Sequence, residues 1–522
     1  MNTKSTCPEC GEPVHAEHPT TWDYRWGPAP DFAHHDGEPL CPVIGDTGYE
    51  PAHAAAGEDM ADPGSPAQRG HAGLPTASDK AAARIVNRLA RDIGHRPAVA
   101  WVHAGAVLWW AGSHQLADGA GPAATVAGVR DGLKRLADAH PALAGFTDPG
   151  AVALWERDIT DADAEAIRDL WAEHPPADPA HRPHGYLLGN AYQALSEESR
   201  KHRALAQTPR YITNLLLALA WEPAVAEHGS LDAFRVIDPS CGTGHILIEA
   251  LARAATWAPA GSTAATPASV KRALHTVHGV DLDPYAALLA RLRLLAMAGS
   301  MSGRPVSELA GWPVQVAAAD ALLDRDEPLL QRGHYHAVIA NPPYVTPKTA
   351  EQRDAVRAAY REVCHMKYAL SLPFHALSND LLLPGGWCAQ LTANSFMKRE
   401  FGQRYVEQYL TRYDLQWVID SSGCYIPGHG TPTVILANRN RAPVDETVST
   451  IRGNRGEPKA PEDPSRGLVW RAIEEAVHPK LAAQRSTTER RREPRDTDSP
   501  PGPTQIVTAQ QLALPLPNLG AT

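Results

Sequence analysis

"FRVIDPSCGTGHILIEALARAA", residues 234–255, decides how the rest of the chain is read. Its apolar start predicts a buried strand that ends at Asp238, turns through Gly242 and Gly244, and opens into a helix from about His245. Glycines at such a turn let a ligand approach the backbone, and the carboxyl end of a strand is where open α/β sheets bind ligands. Pro239, Ser240 and Cys241 complete the turn and join the candidate site. A dinucleotide fold is the rival, but its fingerprint needs a third glycine, and Leu247 stands in that place. An acid at Asp238 also disfavours a phosphate and suits a cationic or amine-bearing cofactor.

Outward from this turn, "TVHGVDLDP" (276–284), "VQVAAADAL" (314–322), "YHAVIANPP" (335–343), "GGWCAQLTANS" (385–395), "LQWVIDS" (415–421) and "PTVILANR" (432–439) are short apolar runs. Helical stretches lie between most of them, which predicts an α/β parallel-sheet domain over residues 204–475. The second strand ends at Asp281, where a carboxylate takes both hydroxyls of a ribose, and the third at Asp320, which suits an exocyclic amine. Each acid alone is also an ordinary loop or cap residue. Acids at three successive strand ends describe a nucleoside with a charged tail, and S-adenosylmethionine is that molecule.

In "YHAVIANPPYVTPK" (335–348) the strand is stopped by consecutive prolines. Asn341 presents a rigid amide, Pro342 and Pro343 fix the backbone carbonyls, and Tyr344 supplies a flat face. Together they suit a planar, amine-bearing ligand; the competing reading is a turn after a core strand.

Bulk properties bound these readings. A chain of 522 residues predicts two or three domains. No apolar run reaches the length of a membrane span, and seven cysteines fit a reducing cytoplasm better than a disulfide framework. A formal charge of −10 opposes indiscriminate binding to nucleic acid. Local basic clusters, Lys398, Arg399, Arg404 and Arg412 and then Arg439, Arg441, Arg452 and Arg455, are candidate DNA contacts or solvated surface. Residues 1–75 read as an irregular Cys/His module and linker, in which Cys7, Cys10, His34 or His35, and Cys41 suit a tetrahedral zinc; free cysteines are the alternative. Residues 78–203 read as mostly helical, with a cap-like Ser78, and 476–522 as a disordered tail.

"DPSCGTG", "GVDLDP", "AADAL" and "NPPY", in that order and after "QTPRYI" (207–212), resemble the motif series of amino-methyltransferases that act on adenine in DNA. "LSEESRKHRALAQTP", "KYALSLPF", "TANSFMKREFG" and "IPGHGTPTVIL" narrow the resemblance to the methyltransferases of the phage growth limitation and BREX defence systems, over roughly residues 185–475. The resemblance implies a Rossmann-like fold that uses S-adenosylmethionine to methylate adenine N6, in phage defence or restriction-modification. It implies that Thr208, Pro209 and Tyr211 close over the methionine part of the cofactor, and that Asp238 with the glycine turn holds its amino acid end. It further implies that Asp281 binds the ribose and Asp320 the cofactor's adenine, that Asn341, Pro342 and Tyr344 form the catalytic motif, and that Tyr425 lies against the flipped base. Glutamine-amide methylation of a protein, or a non-catalytic DNA- or cofactor-binding subunit, are the alternatives. Relatives usually carry a large target-recognition region after the catalytic domain. A split or truncated gene, a partner protein, or the helical region 78–203 are therefore the alternatives for what reads the DNA sequence. The hexamer Gln511–Leu516 resembles peptides that engage the DNA sliding clamp.

Overall fold

The computed structural model describes residues 77–176, 184–196, 207–259 and, with short gaps, 261–492, together with brief stretches before residue 52. Eight strands form one sheet: β1 Val236–Asp238, β2 Val277–Asp281, β3 Gln315–Ala318, β4 Tyr335–Ala340, β5 Leu382–Ala393, β6 Asp414–Asp420, β7 Thr433–Arg439 and β8 Ser449–Arg452. Their spatial order is β8-β6-β7-β5-β4-β1-β2-β3. All seven runs read from the sequence are strands. The expectation of a parallel sheet needs one correction, because β7 runs antiparallel to both β5 and β6.

The strand order reverses between β1 and β4, which are parallel neighbours, with Val338 opposite Ile237. Crossovers from these two strands leave in opposite directions, so a crevice opens at their carboxyl ends. Asp238 faces Gly279 of β2, and Asp281 faces Ala318 of β3, so the ends of β1, β2 and β3 share one edge. Side chains alternate between two cores. Val236, Ala337, Ile339, Ile435 and Ala437 enter one, while Ile237, Val338, Val434 and Leu436 enter the other. Both faces are therefore covered, as a parallel sheet requires.

Helices α1 Ala77–Ile93, α2 His95–Ser113, α3 Val126–Ala139, α4 Asp161–Glu173 and α5 Tyr186–Leu195 build the N-terminal region. Ser78 lies inside α1 rather than capping it. A capping box does start α4, between Thr160 and Asp163. These helices share a continuous hydrophobic core with α6 Arg210–His228, α7 His245–Thr256 and α9 Pro284–Ser302 of the sheet domain; α8 is Pro267–Thr276. Leu288 on α9, for example, closes over Gly145. Helices α1 to α5 are thus a layer on the sheet domain. On the opposite face lie α10 Ala350–Ala359 and α11 Ser371–Leu381.

A last helix, α12, spans Leu468–Arg492 and crosses the boundary expected near 475. Trp470, Ile473, Val477 and Leu481 are buried in the main core, so order continues past that boundary. Near the N-terminus, the segment expected to be irregular contains two short ribbons, Val14–His15 with Ala33–His34 and Pro42–Gly45 with Gly48–Pro51. No helix among the described residues is long and apolar enough to cross a membrane.

Candidate active site

At the switch point, the turn after β1 is shaped by Gly242 and Gly244, with φ of 53° and 88°. Both values lie in the left-handed region that glycine enters without strain. At Gly244 a side chain would also meet Ala290 on α9 at 3.0 Å. Gly244 therefore serves helix packing, and the ligand face of the turn is Asp238 to Gly242.

The turn borders a cleft of about 1010 Å³, open mouth included. Thr208, Asp238, Pro239, Ser240, Cys241, Gly242, Asp281, Asp320, Asn341 and Pro343 all line it, so residues far apart in sequence order converge there. Four aspartates, Asp238, Asp281, Asp283 and Asp320, and no lysine or arginine, stand among the described lining residues. Such a cleft repels phosphate and attracts a cation.

Each acid is held by backbone amides. Asp281 accepts from Gly242 N at 2.8 Å through Oδ2 and from Asp283 N at 2.9 Å through Oδ1. Asp320 accepts from Leu322 N at 3.0 Å and Leu323 N at 3.2 Å. Asp238 accepts from Ser240 N at 3.0 Å. Burial raises the Asp238 carboxyl to about 8; the Ser240 amide pulls it down and the nearby Asp281 charge pushes it up.

The sequence reading did not assign a role to Asp283. Its Oδ1 accepts from Tyr285 N at 3.1 Å, capping α9, and its Oδ2 accepts from the Tyr192 hydroxyl at 2.6 Å. On α2, buried His103 lies 2.9 Å from the Tyr285 hydroxyl through Nδ1. Fully buried Arg293 donates to the His184 carbonyl at 2.8 Å and to the Thr243 carbonyl at 2.5 Å. The N-terminal helices therefore brace the turn and the second strand end from behind. Leu282, 52% exposed between two acids, and the apolar wall of Leu322 and Phe374 were also missed. An exposed leucine inside "DLD" was the available signal.

At the end of β4 the Asn341 carboxamide has two side-chain partners. Its Nδ2 donates to Thr208 Oγ1 at 3.1 Å, and its Oδ1 accepts from the Tyr344 hydroxyl at 2.5 Å. Burial pushes that hydroxyl well above its ordinary range, so it stays protonated and can donate. Pro342 is buried, and the Tyr344 ring packs against the main core.

Pro209, Tyr211, Gly244, Pro342, Tyr344 and Tyr425 are not among the residues lining the cleft. Pro209 caps α6 with extended backbone. The Tyr211 hydroxyl donates to the Tyr425 carbonyl at 3.0 Å and its ring meets Trp470 edge-on at 4.8 Å, so Tyr211 anchors the Tyr425 loop. Three arginines of the candidate basic clusters form ion pairs within the chain: Arg412 with Glu362, Arg439 with Glu227 and Arg441 with Asp414, each at 2.6 Å.

Cys7, Cys10 and Cys41 lie outside the described residues, whereas His34 is buried in a short ribbon. Among the described residues no three His, Cys, Asp or Glu side chains gather as a metal site. Gln511–Leu516 also lies outside the described residues.

A family model for the Eco57I restriction-modification methylase matches residues 275–425. Over 342 residues the chain is 40% identical to the adenine-specific methyltransferase PglX of Streptomyces coelicolor, a match covering 56% of this chain and 28% of that protein. The chain thus spans under a third of the length of this relative. Among solved structures, the methyltransferase subunit of a type I restriction-modification system from Streptococcus thermophilus aligns with a TM-score of 0.43 at 15% identity, covering 69% of this chain and 71% of that one. The type IIL restriction-modification enzyme MmeI in complex with DNA aligns with a TM-score of 0.47 at 12% identity, covering 73% and 59%.

Proposed function

We propose that this chain transfers a methyl group from S-adenosylmethionine to the N6 amine of adenine in DNA, within a phage-defence or restriction-modification system. The observation that carries the reading is the meeting, in one cleft, of the Asn341 carboxamide and four aspartates without a lysine or arginine among the described lining. Sequence identity to an adenine-specific methyltransferase supports the substrate.

The residues present fit the cofactor. Buried Asp238 suits a cationic amino acid end, and the Asp281 carboxylate, held in place by two backbone amides at the end of β2, suits a ribose diol. Asp320 suits an adenine amine beside the apolar wall of Leu322 and Phe374. When bound, S-adenosylmethionine supplies an electrophilic methyl on a sulfonium.

The chain's task is to prepare the nucleophile. An adenine N6 lone pair is delocalised into the ring. Acceptors on its two N–H groups, the Asn341 side-chain oxygen and the Pro342 carbonyl, return electron density to nitrogen as it reacts. The base must leave the duplex to reach them, and Tyr344 and Tyr425 are the aromatic faces assigned to receive it. Partners in this reading are DNA, a separate recognition or defence subunit, and the sliding clamp at Gln511–Leu516. A structural zinc on Cys7, Cys10, His34 and Cys41 completes it.

Incubating the chain with unmodified DNA and labelled S-adenosylmethionine, followed by nucleoside analysis, tests the function. N6-methyladenine is the expected product. Label found only in protein would favour glutamine-amide methylation, and label in neither would remove the catalytic reading.

A further inference from the structure

Thr208 and its neighbour Gln207 occupy an unusual place, touching both halves of the cleft. Thr208 precedes Pro209, which confines it to extended backbone, and α6 starts at once afterwards. Gln207 is fixed from both sides: its backbone N–H donates to Gln193 Oε1 at 2.8 Å, and its own Oε1 accepts from Thr243 Oγ1 at 3.1 Å in the glycine turn. Both residues are buried. The Thr208 hydroxyl is thus delivered to one point in space, and there it accepts from Asn341 Nδ2 at 3.1 Å.

This contact matters because a carboxamide has two nearly isosteric ends. With oxygen toward the substrate, Asn341 accepts a proton from an amine. Turned by half a revolution it would present an N–H to that amine and oppose it. An acceptor on the nitrogen side biases the choice, because burying the Nδ2 donor against an apolar group leaves it unpaired. We propose that Thr208 is a positioning residue that sets which end of the Asn341 carboxamide faces the substrate, an inference that rests on the methyl-transfer reading. It adds to the sequence-based role of Thr208 as a cofactor contact, and the two roles separate by experiment.

Thr208→Val keeps the shape and removes the acceptor, whereas Thr208→Ser keeps it. In the full chain, Thr208→Val is expected to lower kcat on unmodified DNA by about tenfold to a hundredfold, with calorimetric affinity for S-adenosylmethionine unchanged. Thr208→Ser should restore most of the rate. A fall in cofactor affinity that accounts for the whole loss overturns the proposal in favour of a cofactor contact. Equal impairment of both variants overturns it in favour of packing. A urea-melting cycle of Thr208→Val, Asn341→Ala and the double variant reads the contact without turnover. Non-additive midpoints support the bond, and additive midpoints overturn it. Should the unaltered chain methylate nothing while the cycle is non-additive, the methyl-transfer reading fails and the contact stands.

Discussion

At the ends of β1, β2 and β3 the cleft's carboxylates hold backbone amides, whereas at the end of β4 the Asn341 carboxamide is held by the hydroxyls of Thr208 and Tyr344. A carboxylate tied to main chain cannot turn away unless its loop moves. An amide tied to side chains exchanges partners by a rotation. In the proposed methyl-transfer reading, the cofactor half would be built before any ligand arrives, and the substrate half would be free to rearrange when a base enters.

Two substitutions separate the halves most sharply. Asn341→Ala removes the acceptor that develops its full strength only as the nitrogen gains positive charge. Its kcat should fall roughly 100- to 1000-fold, with the calorimetric affinity for S-adenosylmethionine unchanged. Asp281→Ala should do the reverse, weakening cofactor affinity by about 1.5 to 3 kcal/mol through loss of charge-assisted hydrogen bonds. The rate at saturating cofactor should survive. An Asn341 variant that binds cofactor poorly, or an Asp281 variant that binds it normally, would show that the halves are not distinct.

A pH titration sharpens the comparison within the cofactor half. With its carboxyl near 8, Asp238 is mostly protonated at neutral pH in the free protein. A cationic ligand favours the carboxylate, so binding expels a proton. Affinity should rise as pH is raised toward about 8, by at most about tenfold per unit, and then level off. Calorimetry in buffers of different ionisation enthalpy should detect the released proton, and Asp238→Asn should abolish both the release and the slope. The free protein shows the opposite sign. The folded carboxyl lies above its unfolded value of about 3.9, so Asp238 contributes stability at acid pH that is lost as pH rises through about 8.

Much of this arrangement was legible in the chain, and the gaps have physical reasons. Strands β1 to β7 were readable as apolar runs, and the acids at the ends of β1 to β3 as polar stops on those runs. The reversal of β7 was not, because an apolar run carries a period but no direction. Strand β8, "STIR", alternates half-buried and exposed residues and has no apolar run to find. Helix α2 fell within the stretch read as mostly helical, but its own bounds were not marked: it is largely buried, with Trp101, Trp110 and the residues around them inside the core, so it lacks a polar face to show a helical period. Within the site, the family resemblance pointed to Thr208 and the proline motif to Tyr344, but neither gave their contacts with Asn341. Those depended on the way α6 docks beside β4, a long-range fact absent from any local motif.

The smallest expected effect concerns Tyr344, and it bears on whether the substrate half rearranges at all. Its hydroxyl occupies one of the two lone pairs on Asn341 Oδ1 at 2.5 Å, while its ring, the face assigned to the base, lies packed against the core. For the ring to stack on an entering base, that hydrogen bond has to break, at a net cost of about 1 kcal/mol. Tyr344→Phe keeps the ring and deletes the bond. Steady-state kinetics on DNA should therefore show an unchanged kcat and a KM lowered by about two- to fivefold, with cofactor affinity unaffected. A drop in kcat of tenfold or more would mean that the hydroxyl stays on Asn341 through the reaction and helps to hold the carboxamide there. Thr208 and Tyr344 would then act as a fixed pair, and the substrate half would be as preformed as the cofactor half.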